Sequence, residues 1–176
     1  MPKIIENVRE QLLQEAKRQV QENGYSKTTI RSVAGACNLG VGTVYNYFKS
    51  KDMLIASFML EDWMECLGEI KECSTSDPKQ FLEHFYASLR NFIGKHQSLF
   101  QDSDAVLAFS GAFTVRHKQL RDQLAQILLP ICENAEGDQA FLAEFIAESM
   151  LTWTVAGRPI QDMIPIFMKL ITSKNI

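Results

Sequence analysis

The sequence predicts an all-α protein of about nine helices, with three in an N-terminal module and the rest in a C-terminal helical bundle. Apolar residues recur at three- and four-residue steps along most of the 176 residues, which is the period of a helix packed on one face. No segment keeps the alternation of apolar and polar residues that is typical of a strand. The 46% hydrophobic and 22% charged residues indicate a folded globular chain and exclude a disordered one.

The N-terminal module is predicted to contain three helices. The first covers about residues 3–23 and stops at an Asn-Gly pair. Thr28 or Thr29 can cap the second helix, because a threonine oxygen accepts hydrogen bonds from the free amides of a first turn. That helix should end near Asn38, which tolerates the left-handed conformation of a tight turn, and a short third helix follows over about 41–47.

The rest of the chain is predicted to form six further helices, separated by a Ser- and Thr-rich loop before Pro78 and by breaks at 136–138 and 157–159. Their expected ranges are about 51–72, 79–97, 104–115, 117–134, 139–156 and 160–173. We therefore divide the chain into an N-terminal domain, 1–50, and a C-terminal domain, 51–176.

The charge is distributed unevenly. Residues 1–51 hold eight basic and four acidic residues, a net charge of +4, whereas residues 52–176 have a net charge of −7. A positive module joined to an acidic body is expected when only one end of a protein contacts phosphate. No apolar run is long enough to cross a bilayer, and the first ten residues carry charges where a signal peptide would be apolar, so we expect a cytoplasmic protein without a membrane partner.

Cysteine and histidine spacing predicts neither a metal site nor a cofactor. The four cysteines form no Cys-x-x-Cys pair, and His84, His96 and His117 lie on different predicted turns or helices. The chain also lacks a Gly-rich phosphate loop, a nucleophile elbow and a metalloprotease helix, so no catalytic residue is predicted.

Residues 29–48 have the spacing of a helix-turn-helix. The small residue Ala34 allows a second helix to cross the first closely, and Asn38 follows four positions later in the turn. Leu39 and Val44 supply apolar anchors from the turn and the second helix. The opposite face of that helix carries small and polar groups that are suited to contacts with a DNA groove and with the phosphate backbone beside it.

On these residues the chain resembles the tetracycline-repressor (TetR) family of transcriptional regulators. The resemblance rests on Thr28-Thr29-Ile30, on the Ala34-to-Val44 spacing and on the run GTVYNYFKSKDML at 42–54, and it covers about 50 N-terminal residues. Two positions depart from the family pattern: Asn38 stands where glycine is usual, and Gly40 stands where serine is common. The loss of that serine removes one capping or phosphate contact.

The resemblance implies a homodimeric, ligand-responsive regulator, and more specifically a repressor, that binds a pseudo-palindromic double-stranded DNA operator. The threonines would present hydroxyls and helix-start amides to phosphate, the third helix would read bases, and Tyr47 and Lys51 would grip the backbone. The implied DNA-binding residues are Thr28, Thr29, Arg31, Gly42, Thr43, Tyr45, Asn46, Tyr47 and Lys51. Other interpretations stay open: Phe48 is expected in the core, Tyr45 fits a half-buried structural role too, and Lys27 and Lys49 fit ordinary solvated charges.

Two further surfaces are predicted in the C-terminal domain. Apolar residues in the last two helices exceed what one small bundle can bury, which favours a dimer interface containing Phe145, Met150, Trp153, Ile164 and Phe167. The family resemblance and the aromatic content favour a small, largely apolar effector among helices four to eight, unless these aromatics fill a dry core. The expected lining is Trp63, Cys66, Phe85, Tyr86, Leu89, Phe109 and Phe113.

Two other functions remain in competition. One is a small helical enzyme with its active site between helices five and eight, although an acid-base pair is missing there. The other is an interaction protein whose N-terminal module docks a protein partner, although the basic charge balance and the polar, aromatic face of helix three oppose it.

Overall fold

The computed structural model describes residues 7–172 of the chain, and the side chains of all of these except 110–116. The described residues form nine helices and no strand, which confirms the all-α prediction. In chain order the helices are α1 (Val8–Asn23), α2 (Ile30–Ala36), α3 (Val41–Tyr47), α4 (Lys51–Glu72), α5 (Pro78–Lys95), α6 (Gln97–Gln101), α7 (Ser103–Cys132), α8 (Gln139–Val155) and α9 (Ile160–Thr172). Residues 3–6, predicted to begin the first helix, lie outside the described residues.

The middle of the chain differs from the prediction. The helices expected at 104–115 and 117–134 are one continuous helix, α7, because no proline or turn-forming residue interrupts the chain near 116. A short helix that was not predicted, α6, precedes it. Asp102 separates the two, since its Oδ1 accepts hydrogen bonds from the amides of Asp104 and Ala105 and so caps α7.

The chain folds into two compact units. The first unit comprises the described part of Met1–Trp63 together with His96–Gly111, and the second comprises Met64–Lys95 with the described part of Ala112–Ile176. The contacts therefore group the first half of α4 with the N-terminal module, whereas the predicted domain boundary at residue 50 stays a prediction. Both α4 and α7 are continuous helices that contribute residues to each unit.

The core of the first unit joins α1 to the helix-turn-helix and to the start of α4. Its buried side chains include Leu12 and Ala16 of α1, Val33 of α2, Val44 of α3 and Leu54 of α4, each with no more than 1% of its surface exposed. Phe48, 4% exposed, is part of this core as predicted. Because the same apolar cluster includes residues of every helix of the module, α3 has a fixed position within the unit.

In the second unit, α5 packs against α8 and α9. Asp77 caps α5 by accepting hydrogen bonds from the amides of Lys79 and Gln80, which leaves Pro78 at the first helical position as predicted. Asp138 caps α8 in the same way through the amide of Phe141. Within the described range, no helix combines the length and the apolar character needed to span a bilayer.

Candidate DNA-binding surface

The start of α2 is fixed by a capping box. The Thr29 Oγ1 atom accepts a hydrogen bond from the Ser32 amide, and the Ser32 Oγ atom accepts one from the Thr29 amide, each at 3.0 Å. This arrangement satisfies amides that the helix leaves unpaired and confirms Thr29 as a cap. Thr28 is fully buried, and its hydroxyl donates to the Gly24 carbonyl at 2.9 Å. The hydroxyl of Thr28 is therefore committed to the protein, which corrects the expectation that it faces a phosphate.

The turn between α2 and α3 has the geometry that the sequence predicts. Asn38 has a φ of 55°, in the left-handed region that asparagine tolerates better than most residues. The Leu39 amide then donates to the Ala34 carbonyl at 2.8 Å. Ala34 and Val44 are 1% and 0% exposed, so a larger side chain at either position would push the two helices apart.

The outer face of α3 is open to solvent. Gly42 and Asn46 are exposed, Tyr45 and Tyr47 have 47% and 48% of their surface accessible, and Thr43 is half-buried. A methyl group added at Gly42 would meet no atom within 4 Å, so the helix presents a flat stretch of backbone there. Gly40 begins α3 without a side-chain cap, as its departure from the usual serine predicts.

The basic residues of the first unit divide into paired and unpaired groups. On α1, Lys17 pairs with Asp62 at 2.7 Å, Arg9 pairs with Glu61 at 2.6 Å, and Arg18 pairs with neighbouring glutamates. In contrast, Lys27, Arg31 and Lys49 are exposed and make no ion pair within the part of the chain that the structure describes. The uncompensated positive charge among these residues therefore lies just before α2, in its first turn and just after α3.

Lys51 has a more constrained position. Its Nζ atom donates to the Tyr25 carbonyl at 3.1 Å and lies 3.6 Å from the centre of the Tyr25 ring. The Tyr25 hydroxyl donates to Asp52, and burial together with this carboxylate raises the pKa of the tyrosine well above its ordinary value. The phenol therefore stays neutral and keeps donating across the physiological pH range.

The residues predicted to line an effector pocket are divided between the two units. Cys66, Phe85, Tyr86 and Leu89 are buried in the second unit, where the Tyr86 hydroxyl donates to the Arg158 carbonyl at 2.9 Å. Trp63 and Phe109 belong to the first unit, where the rings of Phe109 and Tyr25 form a T-shaped pair with their centres 6.1 Å apart. The Phe113 side chain lies outside the described residues. These aromatics fill apolar cores where they are described, as the alternative interpretation expects.

A groove of about 420 Å³ lies elsewhere in the second unit, between α4, the start of α5 and α7. Its floor is apolar, with Leu67 and Phe81 almost fully buried, and Lys71 is the cation among its walls. None of the predicted pocket residues lines it. Sequence spacing contained a signal for it, because its α4 and α7 residues recur at helical three- and four-residue steps. The full lining is Met64, Leu67, Lys71, Cys73, Thr75, Phe81, Gln123, Gln126, Ile127 and Pro130.

The residues predicted for the dimer interface also divide. Phe145 and Trp153 of α8 are 45% and 44% exposed. Met150, Ile164 and Phe167 are at most 9% exposed and belong to the core of the second unit, so their predicted place at an interface is corrected. The other exposed apolar residues of these two helices are Phe141 and Leu170, which the sequence also counts in their apolar surplus, and Val155 and Ile166, which the prediction did not select.

Three comparisons with known proteins point to one family. Residues 12–58 match the model for bacterial regulatory proteins of the tetR family. HTH-type transcriptional regulator UidR of Escherichia coli K12 is 30% identical over 64 residues, which are 36% of this chain and 33% of UidR. HTH-type transcriptional repressor KstR2 of Mycolicibacterium smegmatis is 27% identical over 129 residues, which are 68% of this chain and 62% of KstR2. The chain thus matches about one third of UidR's length.

The fold of nearly the whole chain is similar to that of solved regulators. The crystal structure of Thermus thermophilus FadR, a TetR-family repressor, matches with a TM-score of 0.60 at 19% identity and covers 96% of both chains. These similar proteins are regulators, in agreement with the prediction that the chain is not an enzyme. Residues 12–58 therefore resemble the helix-turn-helix of bacterial regulatory proteins of the tetR family, and the all-helical fold is similar to that of solved TetR-family regulators.

Proposed function

We propose that this protein is a cytoplasmic transcriptional regulator that binds a pseudo-palindromic DNA operator as a homodimer and releases it when a small apolar effector binds. The observation that carries the proposal is the solvent-exposed face of α3, which presents small and polar side chains; the same unit holds the cations Lys27, Arg31 and Lys49, which have no ion pair among the described residues. A helix held by a buried core and open on its other face fits the major groove.

The individual contacts follow from chemistry and position. Thr43, Tyr45 and Asn46 have hydrogen-bonding groups on the exposed part of α3 and would read base edges, while Gly42 lets the backbone approach closely. Tyr47 and Lys51 would bind phosphates at the end of this helix. Thr29 and Arg31, both exposed at the start of α2, would bind the neighbouring strand, and Thr28 supports this turn from inside.

Dimerisation is proposed through α8 and α9. Phe141, Phe145 and Trp153 recur at four-residue multiples along α8 and leave 44–66% of their surfaces exposed. Ile166 and Leu170 add an apolar strip on α9. Exposed apolar side chains in such numbers are unfavourable in water, and a second copy of the same helices would cover them in a four-helix arrangement. Two-fold symmetry then places two reading helices on half-sites one helical turn apart, roughly 34–36 Å, or a multiple of it.

The groove of the second unit is the proposed effector site. Its apolar floor and its few polar groups have the composition of small-molecule sites, and Lys71 favours an apolar compound with an anionic end. The names of two similar proteins agree with ligand-controlled repression: KstR2 is a repressor, and the Thermus FadR structure contains lauroyl-CoA. We therefore include repression in the proposal.

Coupling between ligand and DNA is proposed to run along α4 and α7. Met64, Leu67 and Lys71 in the second half of α4 line the groove, whereas Lys51 and Leu54 at its start belong to the module that contains α3. A ligand that prefers one arrangement of these helices shifts the population of DNA-binding states. A coupling of about 1–3 kcal/mol would lower operator affinity about 5- to 150-fold.

The test is selection of bound fragments from the source genome, followed by footprinting and by mobility shifts in the presence of compounds found in a thermal-shift screen. We expect an inverted repeat with half-sites one or more helical turns apart, and release of the fragment by at least one compound. Equal binding to all fragments at physiological salt would contradict the proposal and favour an interaction protein. Turnover of a screened compound would favour an enzyme instead.

A further inference from the structure

The loop between α1 and α2 contains a buried aromatic residue that arranges two opposite charges. Tyr25 is 6% exposed and contacts both first-turn residues of α4, Lys51 and Asp52. The lysine ammonium lies over the face of the ring, 3.6 Å from its centre, and also donates to the Tyr25 carbonyl at 3.1 Å. The carboxylate of Asp52 accepts instead from the hydroxyl at the far end of the ring.

Lys51 and Asp52 are adjacent in sequence and opposite in charge. This arrangement holds their charged groups at different parts of Tyr25. A ring face attracts a cation through its quadrupole, and a phenol O–H satisfies a carboxylate without supplying charge. A lysine ammonium has three N–H donors, and in Lys51 the Tyr25 carbonyl and the Tyr25 ring face can engage two of them. At least one donor of Lys51 therefore remains for a further anion, from a position that is fixed before the anion arrives.

We infer that Tyr25 is a positioning residue for DNA binding: it holds the Lys51 ammonium in place for a backbone phosphate. The inference rests on the proposed function. Tyr25 is itself held, since its ring forms a T-shaped pair with the Phe109 ring and the neighbouring Ser26 hydroxyl donates to Asp104 at 2.6 Å. Preorganisation of this kind reduces the side-chain freedom that a lysine loses when it binds, so it increases affinity without adding a contact.

The experiment is the salt dependence of operator affinity in a double-mutant cycle on the full-length protein. Each phosphate contact adds roughly −0.9 to the slope of log K against log salt. Lys51→Gln should therefore make the slope less negative by about 1.8 in a dimer, which has two copies of the contact. Tyr25→Leu should lower operator affinity at fixed salt but leave most of the slope, because Lys51 is still present, and in the Lys51→Gln background it should lower affinity little further. Tyr25→Phe retains the ring and should leave operator affinity and the slope unchanged.

Lys49 provides the matched control, because it is an exposed lysine close in sequence that makes no ion pair among the described residues. Lys49→Gln and Tyr25→Leu should have additive effects on affinity and slope. If Tyr25→Leu does not fold, phenylalanines with increasing fluorination at position 25 weaken the ring quadrupole at nearly constant shape. Operator affinity should then fall stepwise with fluorination in the wild-type background and stay constant in the Lys51→Gln background.

Two outcomes would overturn the inference while leaving the proposed function intact. One is an unchanged slope in Lys51→Gln, which would make this lysine a structural residue only. The other is a lack of coupling between the two residues: Tyr25→Leu and Lys51→Gln have additive effects on operator affinity, or the fluorination series leaves that affinity unchanged. If the wild-type protein binds no DNA fragment at all, the proposed function fails, and the inference fails with it.

Discussion

Replacing Phe145 by serine tests whether the exposed face of α8 is a dimer interface. The side chain is 45% exposed in the single chain and lies between Phe141 and Trp153 on that face. Aromatic side chains bury roughly 200 Å² when fully covered, so a partner would cover roughly 90 Å² at this position. At about 25 cal/mol per Å², the loss is about 2 kcal/mol per subunit and about 4 kcal/mol for the two symmetric copies. Since 1.4 kcal/mol is a factor of ten, the dimer dissociation constant should rise about 1,000-fold.

The assay is sedimentation equilibrium over a concentration series, with circular dichroism to confirm that the variant folds. Leu60→Ser is the matched control, because Leu60 is an apolar residue of α4 in the first unit and is 59% exposed. It should leave the association constant unchanged. Operator affinity of Phe145→Ser should fall in parallel with dimerisation. A wild-type protein that is monomeric at micromolar concentration, or equal effects of the two substitutions, would refute the reasoning.

Three further predictions concern the folded chain. Phe167→Ala should lower the free energy of unfolding by about 3–5 kcal/mol in urea titrations, because Phe167 is 3% exposed; a loss of dimerisation without a loss of stability would contradict this. Asn38→Ala should cost about 1 kcal/mol by thermal unfolding and Asn38→Gly much less, given the φ of 55°; equal effects would argue against a strained turn. Burial raises the pKa of Cys66 to about 12 and that of Cys132 to about 11. The contribution of these thiols to the free energy of unfolding should therefore be intact below pH ~8.5, where the thiols of the unfolded chain are still protonated. As the pH rises from there towards the pKa of each buried thiol, the free energy of unfolding should fall by about 1.4 kcal/mol per pH unit for each thiol. The stability of Cys132→Ala should decline less steeply with pH than that of the wild type. Parallel profiles of stability against pH would exclude a contribution from this thiol.

The helix-turn-helix could be predicted from the sequence because its determinants are local. A small residue at Ala34, a turn residue at Asn38 and an apolar anchor at Val44 are separated by fixed numbers of residues, and each has a single structural reason. The capping role of Thr29 is equally local. For the same reason, helical spacing alone predicts which residues of α3 face solvent.

The C-terminal surfaces could not be assigned in this way, because burial there depends on how helices pack. Phe145 and Phe167 are both apolar residues on amphipathic helices, yet one is 45% exposed and the other 3% exposed. Likewise, the aromatic content of α5 indicated a pocket, whereas its large side chains fill the core and the groove lies beside Lys71 and Pro130. The prediction placed the start of α7 within one residue but missed α6 and divided α7 near residue 116.

The most direct test of the account measures base-pair preference in the selected operator. Each position of one half-site is replaced in turn, and affinities are measured for the wild type, Asn46→Ala and Tyr47→Ala. If α3 reads the operator, Asn46→Ala should reduce the preference at particular base pairs by about 1–3 kcal/mol and leave the others unchanged. Tyr47→Ala should weaken binding to all sequences alike. A preference profile that Asn46→Ala leaves unaltered, at full dimer stability, would contradict the assignment of α3 as the reading helix.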